Sequence, residues 1–488
     1  MRRQPGPQKG MRSSSPVSGL RRAQLSFAQV LGQSVSAVAP SAVMVTLPAL
    51  VIPAAGAWTL PVFFVTALLM TAVGYCIAQF ASRMIAVSGL YSYTVKGLGP
   101  IPGIAAGWSV VIGYAAAAMA SVLGAAAYLA ALLNRVGVPA GRPTIAVLAV
   151  VVAAVALILM VRGVRLSARI SLTVEVFAVV AAAAVLFITF TSTLAAGHER
   201  ADTVAPQSYS ALGFALLLTI TSFEGFESAG TVAREARKPF VTVPRAIRWT
   251  PVALGVLYMF AVAMQSGRTV QGGVGSTPLV LTLPGSGPGS TALSVVMELG
   301  ITASWFACII GSTTALSRTL FAMGREGVVS ERLGRVHRRF RTPHIALLIS
   351  MPLIAAVPIG YLMLVGSPRE VMIGLLAVSA HGYVGAYLLV CLATPAFLHR
   401  IGELTRTPLI IGLAAATSMV AIIAWAAFTV ASPVWIATAV YATLMAVGFG
   451  VYAVRASHVP GLAERVGVFD ETVAGDIFAD YNPWEVRR

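Results

Sequence analysis

The feature that most constrains this chain is a series of apolar stretches, each long enough to cross a lipid bilayer. A transmembrane α-helix needs about 20 consecutive apolar residues, and the chain contains twelve such stretches. Only 10% of its residues are charged, whereas soluble domains carry about 25%. Lipid offers no hydrogen-bond partners to the backbone, so each stretch is predicted to be helical. We therefore predict an all-α membrane protein with twelve transmembrane helices. The predicted spans are residues 27–51, 58–81, 103–134, 143–161, 170–191, 209–233, 249–267, 291–317, 344–365, 371–398, 408–431 and 433–454.

The placement of charge argues against nucleic acid as a partner, although the net charge is +17. If the N-terminus is cytoplasmic, 29 of the 34 Lys and Arg residues lie on the inner segments and 5 on the outer ones. This is the positive-inside bias that orients helices during insertion. We therefore predict a multi-pass protein of the cell (inner) membrane, in contact with lipid, with both termini cytoplasmic.

The two ends of the chain are predicted to be cytoplasmic tails. Residues 1–24 are basic and rich in Ser and Pro, without the short apolar core of a signal peptide, and are predicted to be disordered. Residues 455–488 are acidic. Neither disulfide spacing nor metal-ligand spacing is present, and no nucleophile–base set appears. The sequence thus predicts no metal, no cofactor and no enzymatic activity.

Two predicted spans contain residues that weaken a helix. The sixth carries Glu224, Gly225 and Glu227 inside an otherwise apolar run, although a charged side chain at bilayer depth costs at least ~2.5 kcal/mol. The first carries a polar stretch ending at Pro40, which removes a backbone donor and should loosen the helix near Ser36. Both interruptions indicate a polar site inside the membrane.

The spacing of the two interruptions indicates a transporter. They lie five spans apart, and an odd offset reverses the orientation of a repeated unit in the membrane. Interrupted helices at corresponding positions of two halves are the best sequence pointer to the binding site of a secondary transporter. A packing kink is the ordinary explanation of either interruption alone, but the pair with its carboxylates favours a substrate site.

Four stretches along the chain, in order, resemble bacterial permeases of the amino acid–polyamine–organocation (APC) superfamily. The resemblance covers the whole length, and each stretch is weak on its own. The stretches are SGLYSY at 88–93 with GLGP at 97–100, RGVRLS at 162–167, FEGFESAGT at 223–231 with REARKP at 234–239 and VPRAI at 243–247, and SRTLFAMGREG at 317–327 with RTP at 341–343.

The resemblance implies a LeuT-type fold of two inverted five-helix repeats followed by two peripheral helices. The permease domain would cover residues 25–454, with repeats at about 25–191 and 209–398 and peripheral helices at about 408–454. The family holds its substrate between the unwound parts of helices 1 and 6. Half-helix N-termini suit a substrate carboxylate, and freed carbonyls suit an ammonium group.

The chain departs from the family in helix 1. Many members have a Gly-Ser-Gly run there, whereas this chain has no glycine after Gly32 in that stretch. Either serine hydroxyls act as donors or the substrate is not a plain α-amino acid. The predicted substrate-binding residues are Gln33, Ser34, Ser36, Ala37, Val38, Tyr114, Phe223, Glu224, Gly225 and Phe226.

Two acidic residues of the sixth span have alternative roles. Glu227 matches a glutamate proposed to respond to protons in a family antiporter, because burial favours the neutral form of a carboxyl group. It is otherwise a structural carboxylate bonded to the backbone of helix 1 or helix 10. Glu224 is either a contact for a cationic substrate group, or a permanent partner of a buried Ser or Tyr.

The coupling site is predicted to include residues of the fifth and eighth spans. Glu175 would bind a proton or a cation such as Na⁺, or else pair with Arg165 or Arg169. Ser312 and Thr313 would complete that site with hydroxyl groups, or else bond the backbone of their own helix. Similarly, Tyr114 and the two phenylalanines are either gates over the substrate or core residues.

These observations predict a secondary carrier for amino acids or related amines that works by alternating access. It would be coupled to protons or work by exchange. Two alternatives stay open, a carrier for polyamines or organic cations and a nutrient sensor that binds without transporting.

Overall fold

The computed structural model describes residues 24–195, 208–265, 288–429 and 433–467. Most of the two predicted tails lies outside these residues. The described helices, in chain order, are α1 Phe27–Ser36, α2 Pro40–Ala55, α3 Thr59–Ala81, α4 Leu90–Leu98, α5 Pro100–Asn134, α6 Arg142–Arg162, α7 Val164–Ala195, α8 Tyr209–Thr221, α9 Pro239–Gln265, α10 Pro288–Glu326, α11 His344–Val365, α12 Pro368–Arg400, α13 Arg406–Phe428, α14 Val434–His458 and α15 Leu462–Arg465.

The described chain is helical and contains eleven segments that are long and apolar enough to cross a membrane. The first of these is the 55-residue segment Phe27–Ala81, which contains α1, α2 and α3. Several helices also extend past the predicted spans. For example, α10 runs to Glu326, because the apolar pattern marks only the part that lies in lipid and a helix continues into the headgroup region.

The outer surface of the bundle is apolar, as a lipid environment requires. Large side chains such as Phe64, Phe177, Val256 and Leu364 are more than half exposed. Water-soluble proteins rarely expose a contiguous apolar surface of this kind. Together with the apolar segments, this surface identifies a multi-pass membrane protein.

The centre of the bundle is built around α5, which packs along both α10 and α12. α1 packs against α7 and α9, and also against the 3₁₀ segment Phe226–Glu235 that follows α8. α4 is too short to span a membrane, and no such helix is among the predicted spans. It packs between α5 and α12. These contacts bring the two interrupted spans together in the bundle interior.

One face of the bundle carries both ends of the described chain, and we call it the tail face. There Leu25 pairs with Ala236 in an isolated β-bridge. Close by, Arg318 and Glu235 form a buried ion pair at 2.6 Å. After α14 the chain folds back, and Gly467 donates its N–H to the carboxylate of Glu326 at 3.0 Å. The first residues of the predicted acidic tail are therefore packed on the bundle.

The opposite face carries a two-pronged ion pair at the end of α5. Arg135 donates to both oxygens of Glu298, at 3.0 and 2.6 Å. These hydrogen bonds raise the pKa of the Arg135 guanidinium. The pair ties the end of α5 to α10 on this side of the bundle.

Candidate functional site between the two interrupted helices

The first span is interrupted where the sequence predicts it. α1 ends at Ser36 and α2 begins at Pro40. Between them, Ala39 adopts a left-handed conformation with φ of 57°. Proline is well suited to the first position of a helix, where its missing N–H costs nothing. Pro40 therefore starts a new helix rather than kinking a continuous one.

The sixth span is interrupted at Gly225. α8 ends at Thr221, and Gly225 has a φ of 98°, a conformation that a residue with a Cβ rarely adopts. The chain then continues as a 3₁₀ helix over Phe226–Glu235. Runs of this helix longer than three or four residues are uncommon and often mark a hinge.

Two glycines, Gly225 at the second interruption and Gly311 of α10, enclose Ala37 in the first interruption. A Cβ placed on Gly225 would lie 2.7 Å from the Ala37 carbonyl oxygen, and one on Gly311 would lie 2.5 Å from the Ala37 nitrogen. Both distances are far below van der Waals contact. The approach of these three segments thus requires glycine at both positions.

Polar side chains join the two interrupted spans to each other. The Ser34 hydroxyl donates to the Phe226 carbonyl, and the Ser228 hydroxyl donates to the Gln33 carbonyl at 3.0 Å. The Gln33 amide donates to the Gly311 carbonyl at 2.9 Å. Gln33 and Ser34, both predicted to contact substrate, therefore hold helices together in this conformation.

Glu175, on α7, is buried beside the start of α2. One of its carboxylate oxygens accepts from the Ser41 backbone N–H at 2.8 Å and from the Ser304 hydroxyl at 2.9 Å. Ser41 is the second residue of α2, so the carboxylate lies at the positive end of that half-helix. The side chains of Arg165 and Arg169, its alternative partners, lie outside the described part of the chain.

Glu224 is buried in the interior with one oxygen unpartnered. Its Oε2 lies 2.5 Å from the Ser379 hydroxyl, while Oε1 has no hydrogen-bond partner. Only 4% of the residue is exposed. The Ser379 hydroxyl also lies within hydrogen-bond distance, 3.1 Å, of the Gly113 carbonyl. Glu224 thus has the buried serine partner of one predicted alternative, and its second oxygen has no partner within the protein.

Glu227, in contrast, has donors on both oxygens. The hydroxyls of Tyr114 and Tyr387 donate to Oε1 and Oε2 at 2.7 and 2.6 Å. Glu227 therefore links the sixth span to tyrosine side chains of α5 and α12, and its partners differ from the backbone groups of the structural alternative.

The aromatic residues predicted as gates pack inside the bundle. Phe223 stacks edge-on against Tyr258 at 5.2 Å between ring centroids. Phe226 lies 5.9 Å from the ring of Tyr387. Tyr114 stacks edge-on against Tyr383 at 5.4 Å. All are buried, so none opens onto solvent in this conformation.

The hydroxyls of α10 lie on different sides of the helix. Ser312 is within 3.5 Å of the Ala37 carbonyl, so it faces the first interruption. Thr313 is buried with its hydroxyl unpartnered. Val38 and Ser36 are also buried at the interruption. The Ser36 hydroxyl donates to the Gln33 carbonyl at 3.2 Å.

The sequence reasoning missed several residues that line this region. Ser304 and Cys308 precede Ser312 by eight and four residues on α10, and the Cys308 thiol donates to the Ala37 carbonyl at 3.1 Å. Ser379 and Tyr387 are likewise eight residues apart on α12. Residues spaced by four lie on one helix face, so this spacing of polar residues is the signal that could have found them.

Metal ligands do not converge in the described part of the chain. Across those residues, no group of three or more His, Cys, Asp or Glu side chains is placed to hold a metal ion. The described site instead consists of single carboxylates, hydroxyls and aromatic rings. Its chemistry suits hydrogen bonding and charge pairing.

Curated proteins similar to this chain include a permease and an importer. The chain is 24% identical over 301 residues to the branched-chain amino acid permease BcaP of Bacillus subtilis, covering 58% of this chain and 63% of that one. It is 25% identical over 296 residues to the low-affinity putrescine importer PlaP of Escherichia coli, covering 58% and 62%. The aligned part thus spans less than two thirds of these relatives.

A solved structure shares the fold. The manganese transporter of Eremococcus coleocola, crystallised as its H236A mutant, superposes with a TM-score of 0.54 at 12% sequence identity. The match covers 93% of this chain and 99% of that one. At this identity the similarity concerns the fold alone.

A family model provides the broadest match. It is described as amino acid permease, and it matches residues 25–454. The match includes both interrupted spans and confirms the family resemblance that the four sequence stretches indicate. This chain therefore belongs to the amino acid permease family.

Proposed function

We propose that this protein is a secondary active transporter of amino acids or related amines that works by alternating access. The observation that carries the proposal is the meeting of two interrupted helices at Ala37 and Gly225, beside three buried carboxylates. Transporters bind substrate at such interruptions near the bilayer midplane. The 3₁₀ segment after Gly225 supplies a hinge for the motion.

The proposed topology has twelve spans with both termini in the cytoplasm. The 55-residue segment Phe27–Ala81 then counts as two spans, the first of them made of α1 and α2. One repeat would contain α1 to α7, the inverted repeat α8 to α12, and α13 and α14 would be peripheral. The charge bias of the connections supports this orientation in a cell membrane.

Within this proposal, we favour a cationic amine as the substrate, because the backbone donors of the first interruption are already used. A carboxylate would need free N–H groups. Each backbone N–H from Ala37 to Ala42 has an acceptor within the protein, and Pro40 has no N–H group. Their acceptors are the carbonyls of Gln33 and Val35, the Glu175 carboxylate and the Ser304 hydroxyl.

In contrast, the site has a hydrogen-bond acceptor that no donor of the protein reaches. Glu224 keeps one buried oxygen without a donor. The ring of Tyr383 lies 5.4 Å from that of Tyr114 and 5.7 Å from that of Tyr387, and both of these neighbours bond Glu227. Carboxylates and the faces of aromatic rings both attract an ammonium group, so a region that offers both suits such a group. A diamine would satisfy this site better than a zwitterion would.

The contacts of Glu224 also support coupling by exchange with protons. The Ser379 hydroxyl has one proton but two neighbouring acceptors, Glu224 and the Gly113 carbonyl. Both contacts are satisfied when Glu224 is protonated and donates to Ser379, which donates to Gly113. An arriving cation would then displace the Glu224 proton to water. Glu227 and Glu175 remain predicted coupling residues beside it.

The experiment is accumulation of a labelled substrate in proteoliposomes under an imposed pH gradient. We expect gradient-driven accumulation, with an acidic interior if the carrier exchanges and an acidic exterior if it is a symporter. Glu224→Gln and Glu227→Gln identify the coupling residue. If one variant loses gradient-driven accumulation but still exchanges internal for external substrate, the glutamate replaced in it carries the proton in the wild type. Uptake by the wild type that ignores both gradients would sink the coupling claim.

A nutrient sensor on the same scaffold is the second candidate. It would bind a substrate in a thermal-shift assay and yet fail to move it across the membrane. Counterflow in proteoliposomes separates the two, because a carrier exchanges internal for external substrate without any gradient. Binding without counterflow would favour the sensor.

A further inference from the structure

A basic cleft opens on the tail face, and none of its lining residues belongs to the two interrupted spans. It has a volume of about 1080 Å³ and lies between the end of α10 and the start of α11. Its lining comes from four places, the last turn of α10, the short 3₁₀ helix Glu331–Gly334, the loop that follows and the first residues of α11. The proposed topology puts this cleft in the cytoplasm, at the depth where the lipid-facing surface of α11 begins.

The cleft carries a strong excess of positive charge. Four arginines line it, together with His337 and His344, against a single acidic residue, Glu331. Glu331 lies 4.0 Å from Arg455 of α14, with 78% of its side chain exposed, so it offers the cleft little compensation. The four lining arginines are Arg325, Arg335, Arg338 and Arg341.

The loop between the 3₁₀ helix and α11 has a defined fold that membrane orientation alone does not require. The His337 ring accepts at Nδ1 from the backbone N–H groups of Arg339 and Phe340, both at 3.2 Å. Arg341 takes a left-handed conformation with φ of 57°, which is costly for a residue with a Cβ. Positive-inside orientation depends on the number of nearby charges. It does not require that they converge on one concavity.

The chemistry of the lining selects a particular class of anion. Guanidinium groups bind phosphate in a two-pronged geometry that a single ammonium cannot match. The start of α11 contributes Ile345 to the lining, and with it the positive end of a helix dipole. We propose that this cleft is a binding site for a phosphate-bearing anion.

Two sources share this chemistry, a lipid headgroup and a soluble phosphate. The exposed apolar residues Leu348 and Ile349 follow on the first turns of α11, so a headgroup would reach the cleft while its acyl chains lie along this helix. The site is independent of the transport proposal. It stands if that proposal fails.

The test compares two triple variants of the full-length protein that lose equal charge on the same face. Arg335→Gln, Arg338→Gln and Arg341→Gln are combined in one, and the matched control combines Arg332→Gln, Arg339→Gln and Arg406→Gln, none of which lines the cleft. A third variant replaces the three cleft arginines by lysine. It keeps charge and topology but removes the two-pronged geometry.

Each protein is placed in phosphatidylcholine nanodiscs and titrated with inorganic phosphate. In a second arm, each protein is placed in phosphatidylglycerol nanodiscs without added phosphate. The readout of both arms is the thermal unfolding midpoint. We expect a rise in the midpoint for the wild type and the control. The half-saturating phosphate concentration should be about tenfold higher in the cleft Gln variant, with the Lys variant in between.

If inorganic phosphate raises the unfolding midpoint of the wild type in phosphatidylcholine nanodiscs, the cleft binds a soluble phosphate. A rise only in phosphatidylglycerol assigns it to a lipid headgroup, and both results support the site. Equal responses of the cleft variant and the control would overturn the proposal, as would a wild type that responds to neither anion.

Discussion

Replacing Glu224 by glutamine is the perturbation that bears most directly on the substrate. The change removes one negative charge and keeps the size and shape of the side chain. The amide oxygen can still accept from the Ser379 hydroxyl, which lies 2.5 Å away in the wild type. The fold should therefore survive, and the affinity for a cation should fall.

The magnitude follows from the open oxygen of Glu224. In the wild type Oε1 has no donor within the protein, so a substrate ammonium would gain a charge-assisted hydrogen bond there. Such bonds contribute a net ~1.5–3 kcal/mol. Their loss corresponds to a dissociation constant raised by about 10- to 150-fold.

The assay is equilibrium binding of labelled putrescine to the purified protein, with leucine as the comparison ligand. Glu370→Gln is the matched control, since Glu370 is exposed in the first turn of α12. We expect the control to bind putrescine as the wild type does. A Glu224→Gln variant that binds putrescine within about twofold of wild type would refute the reasoning, because the open oxygen would then not contact the ligand.

Three further changes test the packing around the site and the buried ion pair of the tail face. Gly311→Ala should slow transport while the protein still inserts, because its Cβ would press on the Ala37 nitrogen at an overpacking cost of about 1–3 kcal/mol; uptake rates unchanged from wild type would contradict this. Tyr387→Phe leaves one Glu227 oxygen without its donor and should destabilise the protein by about 1–3 kcal/mol, read as a lower unfolding midpoint. Glu235→Gln strands the buried Arg318 charge and should cost about 3–5 kcal/mol; adding Arg318→Met should restore part of that loss, and an additive double variant would show that the pair is not coupled.

The helical architecture was predictable because lipid leaves the backbone few choices. The apolar stretches mark nearly every long helix, and Pro40 and Gly225 mark the two interruptions. The 3₁₀ form of Phe226–Glu235 was not predictable, since it depends on packing against neighbouring helices. Nor was α4, which is too short to register as an apolar span.

The site was predictable in part. The residues of the interrupted segments follow from chain position alone. Their partners Ser304, Ser379 and Tyr387 come from other helices, and a tertiary contact leaves no mark on one sequence beyond the spacing along each helix. For the same reason the different surroundings of Glu224 and Glu227 could not be read from the sequence, although the two residues are three positions apart.

The most direct test of the account is counterflow in proteoliposomes. Vesicles are loaded with one unlabelled compound at a time, and the entry of labelled putrescine is followed without an imposed proton or sodium gradient. We expect rapid entry when the interior holds putrescine or another diamine, and little entry when it holds leucine. Entry of labelled leucine into leucine-loaded vesicles, with putrescine inert, would leave a transporter but contradict the cationic substrate.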